Sequence, residues 1–437
     1  MSSTTASIES QPLAILGGPK AINDINRPMF HWPIVTEEDE QAVLAVIRDG
    51  SMSSIGLSRQ FEEQWGQFLG TKYNLAHCNG TASLLSAMFA VGVGKGDEVI
   101  VPSMTYWASA LPAVLLGATP VFADADPDSL CIDPADMERR ITPRTRAIVV
   151  VHYCGHPCDM DAIMSIARKH GIKVIEDVSH AQGSLYKGRM TGSIGDIAGI
   201  SMMGAKSFAI GEGGMLSTND PKLYERAVAF AHYERITSDV TDPQLLNVLG
   251  PGQGFVPLPL GGLKGRINQT CSAMGMVQLK YYPQRIKEIQ KAMNHFWDLL
   301  ADVPGLKAHR PTDQQSTMGG WYNPVGHYDP DAFGGLPVTK FIEAVNAEGG
   351  RSGRGTNFPL HLHPMLNQSA PGADQGPLAM AWANRTAPRE RVSLPVTEQI
   401  NARTFGLPYF KHYQPELIAQ YAAAFRKVAQ QASLIPR

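Results

Sequence analysis

The chain has 437 residues, a formal net charge of −2 at pH 7, 18% charged residues and 43% hydrophobic ones. So even a charge balance, with no apolar run near about twenty residues, argues against nucleic acid, a membrane surface or a membrane span. The length exceeds one ordinary core, so two domains are expected, and five cysteines in so long a chain fit a reducing compartment better than a disulfide framework.

Met1 to Gln11 is a polar tail without the apolar stretch of a signal peptide, and a cytoplasmic location is expected from it. An extended arm, Leu13 to Pro33, completes an N-terminal segment of residues 1–33. Residues 34–281 are expected to form a large domain and residues 282–437 a smaller α+β one. Apolar periodicity predicts helices over Glu37–Arg48 and Ser58–Leu69, joined by the loop Gly50–Gly56. From Tyr73 to Ser201 short apolar strands (Tyr73–His77, Glu98–Val101, Pro120–Ala123, Ala147–Val151, Ile172–Ile175) alternate with helices (Ser83–Val93, Trp107–Leu116, Asp159–His170). This alternation predicts an α/β fold with a mostly parallel, doubly wound sheet. The first strand-helix turn carries no G-x-G-x-x-G, which weakens a nicotinamide reading. A strand over Met215–Thr218 and a helix over Pro221–Ala231 follow. Tyr233 to Gly262, rich in glycine and proline, reads as an extended loop. A long helix opens after Gly262, and Lys287–Leu300 and Leu417–Gln431 read as amphipathic helices of the second domain.

The chemistry centres on Asp177 and Lys206. Asp177 ends an apolar strand, which puts its carboxylate at the sheet edge where α/β proteins bind ligands. Lys206 stands in a small-residue turn after a second apolar strand and before Gly211-Glu-Gly-Gly214. A lone lysine there suits a Schiff base with pyridoxal phosphate, with the aspartate pairing the pyridinium nitrogen. The phosphate needs helix-start amides and hydroxyls, and Gly80, Thr81 and Ala82 after Asn79, with Ser201, supply them. Each element alone also fits a turn, a cap or a solvated side chain; their order and strand context point to the cofactor.

These stretches resemble the DegT/StrS-type aminotransferases, fold-type-I pyridoxal phosphate enzymes that aminate keto sugars and keto cyclitols. The matching motifs are Gly80-Thr81-Ala82, Gly96 to Pro102, Thr105 to Ser109, Pro120 to Asp126, Ile132-Asp-Pro134, Ile175-Glu-Asp177, Gly192 to Asp196 and Lys206 to Gly214. The resemblance runs from about Ile34 to the last helix. It implies that Tyr106 stacks on the pyridine ring and that His180 lies near the cofactor oxygen or the incoming sugar. It also implies a homodimer with shared sites, in which Lys264, where the family usually has Asn, approaches the partner's phosphate. The loop Gly50–Gly56 lies near the acceptor in the family. Ser393 to Glu398 and Leu407-Pro408 resemble the cyclitol and aminohydroxybenzoate branch.

Cys154, His156 and Cys158 with His152 lack the paired spacing of a zinc site, so no metal is expected. His361 and His363 are expected on one face of an extended strand, at the substrate edge. The resemblance implies a ping-pong aminotransferase in a biosynthetic, antibiotic-type pathway. Lys206, Asp177 and His180 are its catalytic residues, glutamate or glutamine its donor, and a small polar ketone on a sugar, cyclitol or nucleoside-like ring its acceptor. The alternatives are a dehydratase or aromatase of the aminohydroxybenzoate synthase type and a non-catalytic regulator that binds the cofactor.

Overall fold

Runs of β-branched residues between glycine-rich turns build the central sheet. Its strands are β1 (Tyr73–His77), β2 (Glu98–Pro102), β3 (Thr119–Ala123), β4 (Thr145–Val151), β5 (Lys173–Asp177), β8 (Ile197–Ser201) and β9 (Gly214–Thr218); β6 (Leu185–Tyr186) and β7 (Arg189–Met190) form a separate hairpin. In this computed structural model, which describes residues 8–23, 27–366, 377 and 392–437, the order is β1-β9-β8-β5-β4-β2-β3. Residues 1–7 of the expected polar tail lie outside the described residues. The neighbours from β8 to β3 pair parallel, and β9 runs against both β1 and β8. The expected α/β architecture with a mostly parallel sheet is the observed one. Near-continuous burial of β2, β4 and β5 is the mark of a sheet covered on both faces.

A second, antiparallel sheet has the order β10 (Leu306–Ala308), β11 (Val325–Tyr328), β13 (Thr404–Gly406), β12 (Gly353–Arg354). One helix, Gln269–Asp298, links the two regions and runs through Pro283, so residues 281 and 282 both lie inside it. Its Tyr282 meets Phe208 edge-on at 5.1 Å, while Phe296 meets Phe425 at 5.4 Å in the other apolar cluster. The N-terminal arm joins that second cluster through Leu13, Ile22 and Met29. Glu348 fixes the arm by accepting the Ala14 and Ala21 amides at 2.7 and 3.0 Å, and pairs with buried Lys427 at 2.8 Å.

Several elements differ from the sequence reading for local reasons. The helix expected from Ser83 starts at Gly80, because Asn79 caps it and accepts from the Ala82 amide at 2.8 Å. Trp107–Leu116 divides into a 3₁₀ turn, Trp107–Ser109, and a helix, Leu111–Leu115, whose start Pro112 favours. Tyr233–Gly262 is not extended throughout: it holds helices Ile236–Asp239 and Pro243–Leu249, the second capped by Asp242 with Pro243 in its first turn. His361 and His363 do not share a strand face. Leu360–Leu362 is a 3₁₀ turn, His361 is buried against Ser103 at 2.6 Å, and His363 is exposed.

Candidate active site

The carboxyl ends of β1, β2, β4, β5 and β8 meet at one edge of the sheet, and each ends in a turn that carries a chemically useful side chain. Asp177 is the last residue of β5 and pairs with Gly199 of the adjacent β8. It is buried, and its carboxylate is held from two sides. The Ser109 hydroxyl donates to Oδ2 at 2.7 Å, and the Ser179 amide donates to Oδ1 at 3.0 Å. The Ser109 hydroxyl also meets the Thr105 hydroxyl at 2.8 Å, so the turn after β2 sets the carboxylate's orientation.

Lys206 lies in the turn between β8 and β9 and is only 7% exposed. Burial pulls its ammonium down to about 8, against the opposing pull of the Asp177 carboxylate. A neutral amine is therefore available near physiological pH, which is the state a nucleophilic lysine needs. Its backbone is fixed from the N-terminal arm: the Trp32 indole N–H donates to the Lys206 carbonyl at 2.8 Å.

The helix Gly80–Ala90 points its start at the same edge. Asn79 caps Ala82 and leaves the first amides, those of Gly80 and Thr81, outside its cap. A Cβ on Gly80 would lie 2.5 Å from the Ser201 Cβ, and one on Gly214 would lie 2.4 Å from the Asn79 carbonyl oxygen. Both positions therefore require glycine, and the close approach brings Ser201 beside the helix start. Ser201 is itself positioned by its amide, which donates to the Ser179 hydroxyl at 3.0 Å, and by its carbonyl, which accepts from Gln182 at 2.6 Å.

His180 is buried beside Tyr153 and Tyr322, with ring centroids 5.4 and 4.6 Å away. Burial, and the charge of Lys206, hold its imidazole well below the usual histidine range, so it is neutral at pH 7. Its Nδ1 accepts the Cys154 amide at 3.4 Å, which leaves the proton on Nε2. Tyr106 is half exposed at the mouth of the site and tilts against Trp107 at 5.0 Å. Lys264 is exposed, on a loop whose Gly265 carbonyl accepts from the Cys78 amide at 2.7 Å, and it touches none of these groups within the subunit. His152 pairs with Glu176 at 2.9 Å, and no group of three or more potential ligands is gathered for a metal among the described residues.

The family model of the DegT/DnrJ/EryC1/StrS aminotransferases matches residues 33–426. The chain belongs to this family. It is similar to L-glutamine:scyllo-inosose aminotransferase of Streptomyces griseus, at 30% identity over 437 residues that cover 97% of this chain and 99% of that protein. It is also similar to spore coat polysaccharide biosynthesis protein SpsC of Bacillus subtilis, at 33% identity over 343 residues, 77% of this chain and 84% of that protein. Among solved structures, the aminotransferase from Psychrobacter cryohalolentis has a TM-score of 0.78 and 29% identity, covering 93% of this chain and 100% of that one. The protein is an aminotransferase with the type I fold of pyridoxal phosphate enzymes.

The sequence reading of this aminotransferase missed three groups that touch its central pair, Ser109, Trp32 and Tyr322, and a fourth, Gln182, that holds the residue after Lys206. Ser109 lay in a quoted motif without a role, although its hydroxyl holds Asp177. Trp32 sits in the arm, far from Lys206 in sequence. Gln182, whose carbonyl oxygen accepts from the Ser207 hydroxyl at 2.7 Å, follows His180 by two residues. Tyr322 comes from the segment before β11, with its ring centroid 4.1 Å from the Lys206 Nζ. Its one sequence signal is the glycine pair Gly319-Gly320 next to aromatics.

Proposed function

We propose that this aminotransferase uses pyridoxal phosphate at this edge to move an amino group from glutamine or glutamate to a ring ketone of a polyhydroxylated cyclitol or sugar. The observation that carries the reading is the pair formed by the buried, partly deprotonated Lys206 amine and the buried Asp177 carboxylate on neighbouring turns. The residues fit the cofactor: a carboxylate for a cationic ring nitrogen, an amine for a carbonyl, and a glycine-lined helix start for a phosphate. Bound there, the cofactor supplies the carbonyl that carries the amino group and a ring that withdraws electrons from the substrate carbon.

Asp177 would hold a protonated ring nitrogen, with the Ser109 hydroxyl and the Ser179 amide keeping its carboxylate aimed. The Gly80 and Thr81 amides and the Ser201 hydroxyl would bind the phosphate, with Ala82 completing the turn and the helix dipole favouring the anion. Tyr106 would cover the ring face. Lys206 Nζ is the base that takes a proton from one substrate carbon and returns it to another position, a role that its depressed basicity suits. His180, neutral with its proton on Nε2, can donate to an oxygen at the site's edge.

A cyclitol acceptor is favoured by coverage, since similarity to the scyllo-inosose enzyme spans 97% of this chain and similarity to the spore coat protein 77%. We also infer a homodimer. The stretch from Val248 to Leu263 exposes Val248, Phe255, Val256, Leu258, Leu260 and Leu263, an apolar run that a second copy would cover. Lys264 ends that stretch, so in a dimer it would reach toward the partner's phosphate site. Incubation with glutamine and a keto-inositol, followed by mass spectrometry, tests the reaction. Amine in place of ketone on an intact ring supports it; loss of water with aromatisation, or no product, counts against it.

A further inference from the structure

The Lys206 amine is backed by an aromatic face. Its Nζ lies 4.1 Å from the Tyr322 ring centroid, and His180 packs against the same ring at 4.6 Å and 41°. Tyr322 is delivered there by a tightly constrained segment, Met318 to Asn323. A Cβ on Gly319 would lie 2.5 Å from the Ser184 amide nitrogen, and one on Gly320 would lie 2.3 Å from the Ser207 Cβ, next to Lys206 in the chain. Trp321 and Asn323, the residues on either side of Tyr322, have φ of 52° and 48°, in the left-handed region that side chains avoid. Trp321 is buried, and the Tyr409 hydroxyl donates to the Gly320 carbonyl. Two glycines without room for a side chain and a buried tryptophan in the left-handed region mark a backbone held in place by its surroundings, as occurs where a side chain has a task.

The groups that face the amine are few. From β5 comes Asp177, the one carboxylate among the described residues that acts on it. From the turn after β4 comes Cys154, whose thiol burial keeps protonated. From the turn after β5 comes His180, which is neutral. Tyr322, whose phenol burial also pushes up, presents its π face, with Tyr106 beyond it. If Asp177 is engaged by a cationic ring nitrogen, as the proposed function requires, the π face is what remains to receive a charged lysine.

We propose that Tyr322 is a docking platform for the free lysine: its ring face holds the Lys206 ammonium during the part of the cycle in which the amine is not bonded to the cofactor. The inference rests on the reading of Lys206 as the cofactor lysine. The contact is electrostatic, between the ammonium and the ring quadrupole, so it depends on the face of the ring and not on the hydroxyl. It favours the charged amine and partly offsets the burial that disfavours it.

The test measures the amine itself in the cofactor-free protein. Trace acetylation with acetic anhydride across pH, read at the Lys206 peptide by mass spectrometry, gives the amine's titration midpoint. Tyr322→Phe keeps the face and is expected to titrate with the wild type. Tyr322→Leu loses it, and its midpoint should fall by about 1.5 units, the size of a desolvated cation–π contact. Pentafluorophenylalanine at position 322 keeps the ring's shape and reverses its quadrupole, so it gives the same reading if the leucine variant does not fold. Equal midpoints for the phenylalanine and pentafluorophenylalanine proteins would overturn the proposal. Whether added pyridoxal phosphate produces a visible band in the wild type is a separate readout. A missing band defeats the cofactor reading, while the titration still decides the contact.

Discussion

The Ser109 hydroxyl donates to Asp177 Oδ2 at 2.7 Å and so ties the turn after β2 to the end of β5. A fixed donor of this kind orients the carboxylate, and in the proposed function it would keep Asp177 aimed at the cofactor ring. Asp177→Asn removes the charge and is expected to lower kcat/KM by roughly 10²–10⁴-fold. Ser109→Ala removes one charge-assisted bond, worth about 1.5 kcal/mol or more, and should cost roughly tenfold. Steady-state kinetics of both variants check this order; an alanine variant as slow as the asparagine one would contradict it.

Burial lowers Lys206 from 10.5 to about 8, so at neutral pH the folded protein holds an ammonium that the unfolded chain would solvate better. The unfolded chain binds the extra proton between these values, so the penalty is full below pH 8 and disappears as pH rises towards 10.5. Lys206→Met keeps most of the apolar stem and should stabilise the cofactor-free protein by about 3 kcal/mol at pH 7. The gain should shrink between pH 8 and 10.5, as measured by denaturant unfolding.

Gly80→Ala puts a methyl group 2.5 Å from the Ser201 Cβ and 2.7 Å from its Cα, where β8 cannot move without disturbing Asp177's neighbour Gly199. The substitution should lower stability by about 1–3 kcal/mol and weaken cofactor binding more than it weakens folding. Thermal unfolding with and without pyridoxal phosphate separates the two effects.

Phe255 and Val256 are 66% and 76% exposed in a run of apolar side chains. Replacing both with Asp would put two charges at the inferred subunit contact and should convert a dimer to a monomer in sedimentation at micromolar concentration. An unchanged dimer would mean that the contact lies elsewhere.

The sheet was legible in the sequence because β2, β4 and β5 are buried on both faces and read as continuous apolar runs, and Asp177 and Lys206 stand at the ends or just beyond such runs. The capped turn before the helix Gly80–Ala90 was legible too, since Asn79-Gly80-Thr81 is both cap and turn chemistry. What composition hid was the capped helix Pro243–Leu249, because glycine and proline around it suggest a loop while Asp242 and Pro243 start a helix. The turn at Leu360–Leu362 likewise separated two histidines that a two-residue period would align. Trp32 and Tyr322 reach Lys206 through tertiary packing, from the arm and from the segment before β11, and no local pattern encodes such contacts.

The most direct test of the central claim is a visible absorption spectrum of the purified protein with pyridoxal phosphate, taken before and after addition of glutamine. The account predicts a band from cofactor bonded to Lys206 that glutamine converts to the spectrum of the aminated cofactor, and no such band in Lys206→Ala. A wild-type protein that develops no band, or a Lys206→Ala protein that keeps both the band and its response to glutamine, would contradict the assignment of Lys206 and Asp177.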